Sequence, residues 1–152
     1  MNALLWAALL SLTPVSELRG GIPVALAAGV SPWLAFVVCV IANLLVVPIV
    51  YFFFEFIHNR LLHVNSYQSV FDKYMERTRR KVKPLIDKYG FLGLAVFVAV
   101  PLPATGVYTA TLAAWFFGME WKRALLAILL GVVTAGIIVL IVSFGGLKLL
   151  GL

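Results

Sequence analysis

Few side chains in this 152-residue chain could do chemistry, and their spacing singles out two short segments. Glu17 and Arg19 sit in Thr13-Pro14-Val15-Ser16-Glu17-Leu18-Arg19-Gly20-Gly21-Ile22-Pro23, between two apolar stretches. An ionisable residue at membrane depth costs at least about 2.5–3.5 kcal/mol when central and unpaired, and is a functional candidate by default. There Glu17 could carry a proton or bind a cation, and Arg19 could tune it or hold an anionic headgroup. The same pair also reads as a structural ion pair at the tip of a hairpin, and such pairing would weaken a role as proton carrier.

The second segment is Pro101-Leu102-Pro103-Ala104-Thr105-Gly106, followed by Tyr108, Thr109 and Thr111. Thr105, Tyr108 and Thr109 are spaced i, i+3, i+4 and would share one face of a helix. Their hydroxyls could orient a polar headgroup or bond back to carbonyls freed by the prolines. Asn43 lies mid-helix among Ile41, Leu44 and Leu45, where an interhelical hydrogen bond or a place along a pathway are the two readings. Glu55 is expected at interfacial depth as a solvated carboxylate. Trp115, Phe116 and Phe117 are expected to meet lipid or a neighbouring helix, with an aromatic box for a cation as the weaker reading.

The composition sets the solvent for all of this. Hydrophobic residues make up 63% of the chain and charged residues 12%, against about 45–50% and about 25% in soluble domains. One small core cannot hide that excess. A soluble enzyme, a disordered chain and a disulfide scaffold are excluded. Cys39 has no partner cysteine, and His58 and His63 lack the company of a metal site. No nucleophile–base pair, phosphate loop or cofactor fingerprint occurs, so neither enzyme chemistry nor a cofactor is expected.

The elements that must position these residues come in two blocks, 1–57 and 91–152, around a loop at 58–90. A span needs about 20 apolar residues, whereas runs of about 10–14 suggest re-entrant or interfacial pieces. The first block reads as a broken re-entrant segment over 3–30 and a span over 33–57, with Pro32 suited to its first turn. No positive region precedes Leu4, which argues against a signal peptide. The second block repeats the plan, with a broken segment over 91–118 and a span over 121–146. A shift of 89 lays Pro14 on Pro103, Ala25 on Ala114, Gly29 on Gly118 and Ala35 on Ala124.

Charge orients the plan. The loop holds eight of the twelve basic residues against Asp72, Glu76 and Asp87, and so carries five of the six net positive charges. Such a loop stays cytoplasmic under the positive-inside rule. A nucleic-acid arm is the rival reading of Arg77, Arg79, Arg80, Lys81 and Lys83; a topology signal among anionic headgroups fits so apolar a chain better, and no nucleic-acid partner is expected. Tyr67–Tyr89 has an apolar face suited to an interfacial helix, with Pro84 expected to split it in two. If each broken segment turns back, Lys122 and Arg123 fall on the cytoplasmic side; if each crosses fully as a kinked span, they fall outside. The charge rule favours the first.

The sequence thus predicts an all-α integral membrane protein built as an inverted repeat, each half a Pro/Gly-broken re-entrant hairpin plus one spanning helix. Inverted repeats recur among secondary transporters. Unwound backbone at membrane depth survives only when buried in protein or lining a wet cavity. The expected pathway is therefore formed by Pro14, Glu17, Arg19, Gly20, Gly21 and Pro23 facing Pro101, Pro103, Thr105, Gly106, Tyr108 and Thr109, with Asn43 beside them.

Two motifs carry a resemblance. Ser16-Glu17-Leu18-Arg19-Gly20-Gly21-Ile22-Pro23-Val24-Ala25 and Pro101-Leu102-Pro103-Ala104-Thr105-Gly106-Val107-Tyr108-Thr109 resemble the two signatures of the small multidrug export protein family. That family looks like a distant relative of the DedA membrane proteins, in which two inverted re-entrant hairpins pack against spanning helices. The resemblance implies proton- or monovalent-cation-coupled transport of an amphipathic or lipid-linked phosphate compound. Glu17 matches the acidic residue of the first DedA-type hairpin. The arginine those proteins place before the second proline is missing from Phe97-Val98-Ala99-Val100-Pro101, and Arg19 is the residue that could stand in for it. Four-helix small multidrug resistance transporters also use an early glutamate but lack the paired breaks and the basic loop. A lipid scramblase and a non-transporting scaffold are the competing expectations. With two full spans the chain has little lateral bulk, so a homodimer is expected.

Overall fold

A computed structural model describes residues 2–61, 63–100 and 105–149. Pro101 and Pro103, expected at the second break, lie outside the described residues. The described residues are helical, in the order α1 Ala3–Leu12, α2 Glu17–Ala27, α3 Pro32–Phe56, α4 His58–Leu61, α5 Asn65–Tyr89, α6 Phe91–Ala99, α7 Val107–Phe116 and α8 Trp121–Leu149. Two stretches, Pro32–Phe56 and Trp121–Gly146, are long and apolar enough to cross a membrane.

The two blocks repeat in their backbone bonding. At the end of α2 the Gly29 N–H bonds to Leu26 O and the Val30 N–H to Ala25 O. At the end of α7, 89 residues on, the Gly118 N–H bonds to Trp115 O and the Met119 N–H to Ala114 O. Both turns are Schellman caps, which need a left-handed residue after the helix; Gly29 and Gly118 supply φ of +77° and +65°. The helices that follow start 89 residues apart, at Pro32 and Trp121. Burial repeats as well: Ala25 and Ala114, and Ala35 and Ala124, are fully buried.

Packing exchanges the short helices between halves. Helix α2 lies against α1, α3 and α8, α7 against α3, α5 and α8, and α3 and α8 touch each other. Helix α1 packs along α2, while α6 lies chiefly on α8 and α5 with a smaller contact to α7. Glycines permit the close approaches. A Cβ on Gly21 would strike Ser11 Oγ and Ala7 O, and one on Gly93 would strike the backbone of Leu85. Small residues play this part between membrane helices, where lipid is as apolar as leucine.

Two expectations are corrected. The first break is shorter than expected: the helix begins at Glu17 and runs through Gly20, Gly21 and Pro23, leaving only residues 13–16 as a turn. Tertiary packing at Gly21 overrides the poor helix propensity of glycine. Pro84 does not split the loop helix either; α5 continues through it for 25 residues. Its Met75, Thr78 and Val82 are buried, and the packing of α5 on α6 and α7 holds the helix through the missing hydrogen bond.

Candidate functional site

The site grows from the turn between α1 and α2. Thr13 Oγ1 and Ser16 Oγ donate to Leu10 O at 2.8 and 2.7 Å, closing the end of α1 with hydroxyls. The chain then enters α2 at Glu17, whose φ of +49° makes it the non-glycine residue in the left-handed region among the described residues. That conformation costs about 1–2 kcal/mol for an L-residue, and such strain gathers at sites where the surroundings hold it in place.

What holds it is the start of α7. The Glu17 carboxylate accepts hydrogen bonds from the Val107 and Tyr108 N–H groups. A Cβ on Gly106 would fall on the carboxylate itself, so glycine is what lets Glu17 lie against this backbone. The first N–H groups of a helix have no partner within it and carry the positive end of its dipole. Glu17 is thus an anion seated on a helix N-terminus from another part of the chain, and it is 6% exposed.

Arg19 completes the junction. Its Nη2 lies 3.1 Å from Thr105 Oγ1 and 3.4 Å from both Thr105 O and Val100 O. It also interacts electrostatically with Glu17. The first hairpin therefore places its guanidinium beside the residue that precedes Pro101. Thr105 Oγ1 donates in turn to Val100 O at 2.7 Å. The Tyr108 hydroxyl donates to Leu12 O, tying α7 back to the end of α1.

Of the residues expected along a pathway, Glu17, Arg19, Thr105, Gly106 and Tyr108 come together. Pro14 is exposed in the turn, and Pro23 lies within α2. Gly20 and Gly21 serve close packing, against Ser16 and against Ser11, Ala7 and Cys39. The shared face expected of Thr105, Tyr108 and Thr109 does not form, because α7 starts at Val107 and leaves Thr105 outside the helical register. Thr109 Oγ1 instead meets the Tyr74 hydroxyl of α5 at 2.7 Å. Asn43 is buried, and among the described residues its Oδ1 has no hydrogen-bond partner, so the interhelical bond expected of it is not made through that atom.

Sequence reasoning missed a second cluster, at the end of α3. His58 is buried, with Nδ1 3.0 Å from the Tyr67 hydroxyl and its ring against Phe54, Phe71 and Trp115. Trp115 Nε1 donates to Glu55 Oε2 at 3.2 Å, and Glu55 itself is exposed, as expected of an interfacial carboxylate. Burial pushes the His58 imidazole below its usual range, opposed in part by Asp72. The run Phe52-Phe53-Phe54 ahead of His58 was the available signal. Among the described residues no three His, Cys, Asp or Glu gather to hold a metal ion.

Long apolar helices, glycine-mediated packing and a buried carboxylate at a helix start define an all-helical protein of the membrane type. The chain belongs to the family described as "Putative small multi-drug export protein", whose model matches residues 17–138. No curated protein and no solved structure matches it.

Proposed function

We propose that the chain is a proton-coupled secondary transporter for amphipathic anions, including lipid-linked phosphates, working at the junction of Glu17, Arg19 and the first turn of α7. The observation that carries this reading is the Glu17 carboxylate on the Val107 and Tyr108 N–H groups. Protonation removes its charge and with it most of its hold on these donors. The freed N–H groups, with Arg19 beside them, then form a seat for the anionic group of a substrate. Proton and substrate become alternatives to the seated carboxylate, which is the requirement for coupling them.

The family name supports export of small compounds. The repeated caps and the exchanged packing of α2 and α7 support an inverted repeat with re-entrant hairpins. In this reading the 58–90 loop is cytoplasmic, the chain works as a homodimer, and no cofactor takes part.

The test is proton exchange with purified protein on adding anionic lipids or lipophilic cations, wild type against Glu17→Gln. Because the anion takes the seat only when Glu17 is protonated, uptake on adding the anions, lost in the variant, supports the reading. Release on adding cations, with no uptake on adding anions, would reverse the sign of the substrate. No exchange with a folded wild type would leave Glu17 as a structural clamp, as a scramblase or a scaffold would have it.

A further inference from the structure

Helix α5 carries Val70, Tyr74, Arg77 and Lys81 at i, i+4, i+7 and i+11, one exposed stripe that turns from apolar to basic along its length. Val70 and Tyr74 are 70% and 42% exposed, although the opposite face of α5 buries Met75 and Val82. Midway along, where apolar gives way to basic, the stripe adjoins the first turn of α7, and the Tyr74 hydroxyl meets Thr109 Oγ1 there. Between the two helices lies a pocket of about 310 Å³, lined by Tyr74, Arg77, Thr78, Arg80, Lys81 and Thr109.

The lining has one chemical character. It offers two guanidinium groups, an ammonium and three hydroxyls, and no carboxylate. Glu76 pairs with Arg80 at 2.5 Å, while Arg77 and Lys81 have no carboxylate partner among the described residues. Arginine forks, a lysine point charge and hydroxyl donors together are the donor set that phosphate oxygens take. A free anion would make no use of the exposed apolar side chains along the same stripe, whereas a ligand carrying acyl chains would cover them. A second pocket on α5 differs: it holds Arg79, Arg80 and Lys83 together with Glu76 and Asp87, so its basic groups have carboxylates among them.

We infer that the α5–α7 pocket binds the phosphate of an anionic phospholipid, held by Arg77 and Lys81, with the lipid's apolar part along Val70 and Tyr74. This site lies across the first turn of α7 from Glu17 and needs nothing from the transport reading.

The experiment titrates short-chain phosphatidylglycerol, and separately short-chain phosphatidylcholine, into full-length protein in neutral detergent and reads the binding isotherm. Three chains test the loss of charge, namely wild type, Arg77→Gln with Lys81→Gln, and Arg79→Gln with Lys83→Gln, and a fourth, Arg77→Lys with Lys81→Arg, keeps it. The two double variants lose the same charge from exposed positions of one helix, so helicity by circular dichroism should match in all three. A loss of about tenfold or more in phosphatidylglycerol affinity is expected for the first pair and about twofold or less for the second, because charge-assisted contacts are stronger than diffuse attraction. Phosphatidylcholine should bind all three weakly, and Arg77→Lys with Lys81→Arg should retain binding. Equal losses in the two pairs would overturn the pocket in favour of general surface charge. Equal affinity for phosphatidylcholine, or displacement of the lipid by inorganic phosphate or by RNA as readily as by excess phosphatidylglycerol, would overturn the lipid.

Discussion

Gly106→Ala should be far more harmful in the wild-type chain than in a chain that lacks the Glu17 side chain. The backbone at Gly106 has φ −96° and ψ −168°, an extended conformation open to alanine, so the backbone itself raises no objection. Two costs remain. Alanine is a poorer helix N-cap than glycine, at about 1 kcal/mol or less. Its Cβ would also take the place of the Glu17 carboxylate. Displacing the carboxylate loses hydrogen bonds from Val107 and Tyr108, each worth about 1.5–3 kcal/mol because the acceptor is charged. Losing only one of them brings the total to roughly 3 kcal/mol.

In a Glu17→Ala background the clash and the charged bonds are both absent, so the substitution should cost about 1 kcal/mol, the cap term alone. The cycle therefore predicts a coupling of about 2 kcal/mol, within the usual range for residues in contact. The assay is equilibrium unfolding of the four chains in one detergent, followed by helicity. Equal costs in the two backgrounds would refute the reasoning, since the carboxylate could not then be resting against Gly106.

Four further outcomes follow from the same geometry. Glu17→Gly should be more stable than Glu17→Ala by about 1–2 kcal/mol, because glycine alone relieves the left-handed φ at that position; denaturant midpoints measure it. The His58 imidazole is held below its ordinary value of 6.5 by burial, so near and just below that pH the unfolded chain binds the proton more readily than the folded one. Stability is then complete above about pH 6.5 and is lost as pH falls from there toward the lower folded value; Trp115 fluorescence, with its ring 5.1 Å from His58, should report the change, and His58→Phe should flatten it. Gly93→Ala should cost about 1–3 kcal/mol by forcing α6 off the Leu85 backbone, seen as a lowered unfolding midpoint. Asn43→Val should raise stability by about 1 kcal/mol or more by removing a buried acceptor without a partner among the described residues, read as a raised unfolding midpoint.

Much of the scaffold is legible in the sequence because lipid imposes long-range regularity on composition. The spans at 33–57 and 121–146 follow from uninterrupted apolar runs, and Gly29 and Gly118 mark helix ends because only glycine takes their φ cheaply. The meeting of Glu17 and Arg19 with the second break was legible too, since two interruptions in apolar surroundings gain by satisfying each other. What was not legible depends on neighbours distant in sequence. Gly20-Gly21-Pro23 reads as a break until Ser11, Ala7 and Cys39 are seen against Gly21. Thr109 looks like a partner of Thr105 until α5 brings Tyr74 to it. The Phe52-Phe53-Phe54 run marks aromatic surroundings for His58, but that Tyr67 and Trp115 converge on it depends on the packing of α5 and α7.

The 89-residue spacing of the two caps recurs at the site. Gly106 stands 89 residues after Glu17, and these two are in contact. If the halves are related by a two-fold axis, equivalent positions that touch lie on that axis. A glutamate at both would set two carboxylates together, which cannot both ionise without a large cost, and each would occupy the space the other needs. Glu17 opposite Gly106 resolves this: one position supplies the anion, and the other supplies the empty space and the N–H groups that receive it. A single titratable group then serves both halves, and in the proposed function one proton would unlock the junction between them. Restoring symmetry is the sharp test. Gly106→Glu should be worse than Gly106→Ala by several kcal/mol at neutral pH, and it should recover when Glu17→Gly is added, because the exchanged pair rebuilds the same contact from the other side. Failure of that exchange, with Glu17→Gly alone well folded, would show that the two positions are not equivalent and that the halves share caps without sharing an axis.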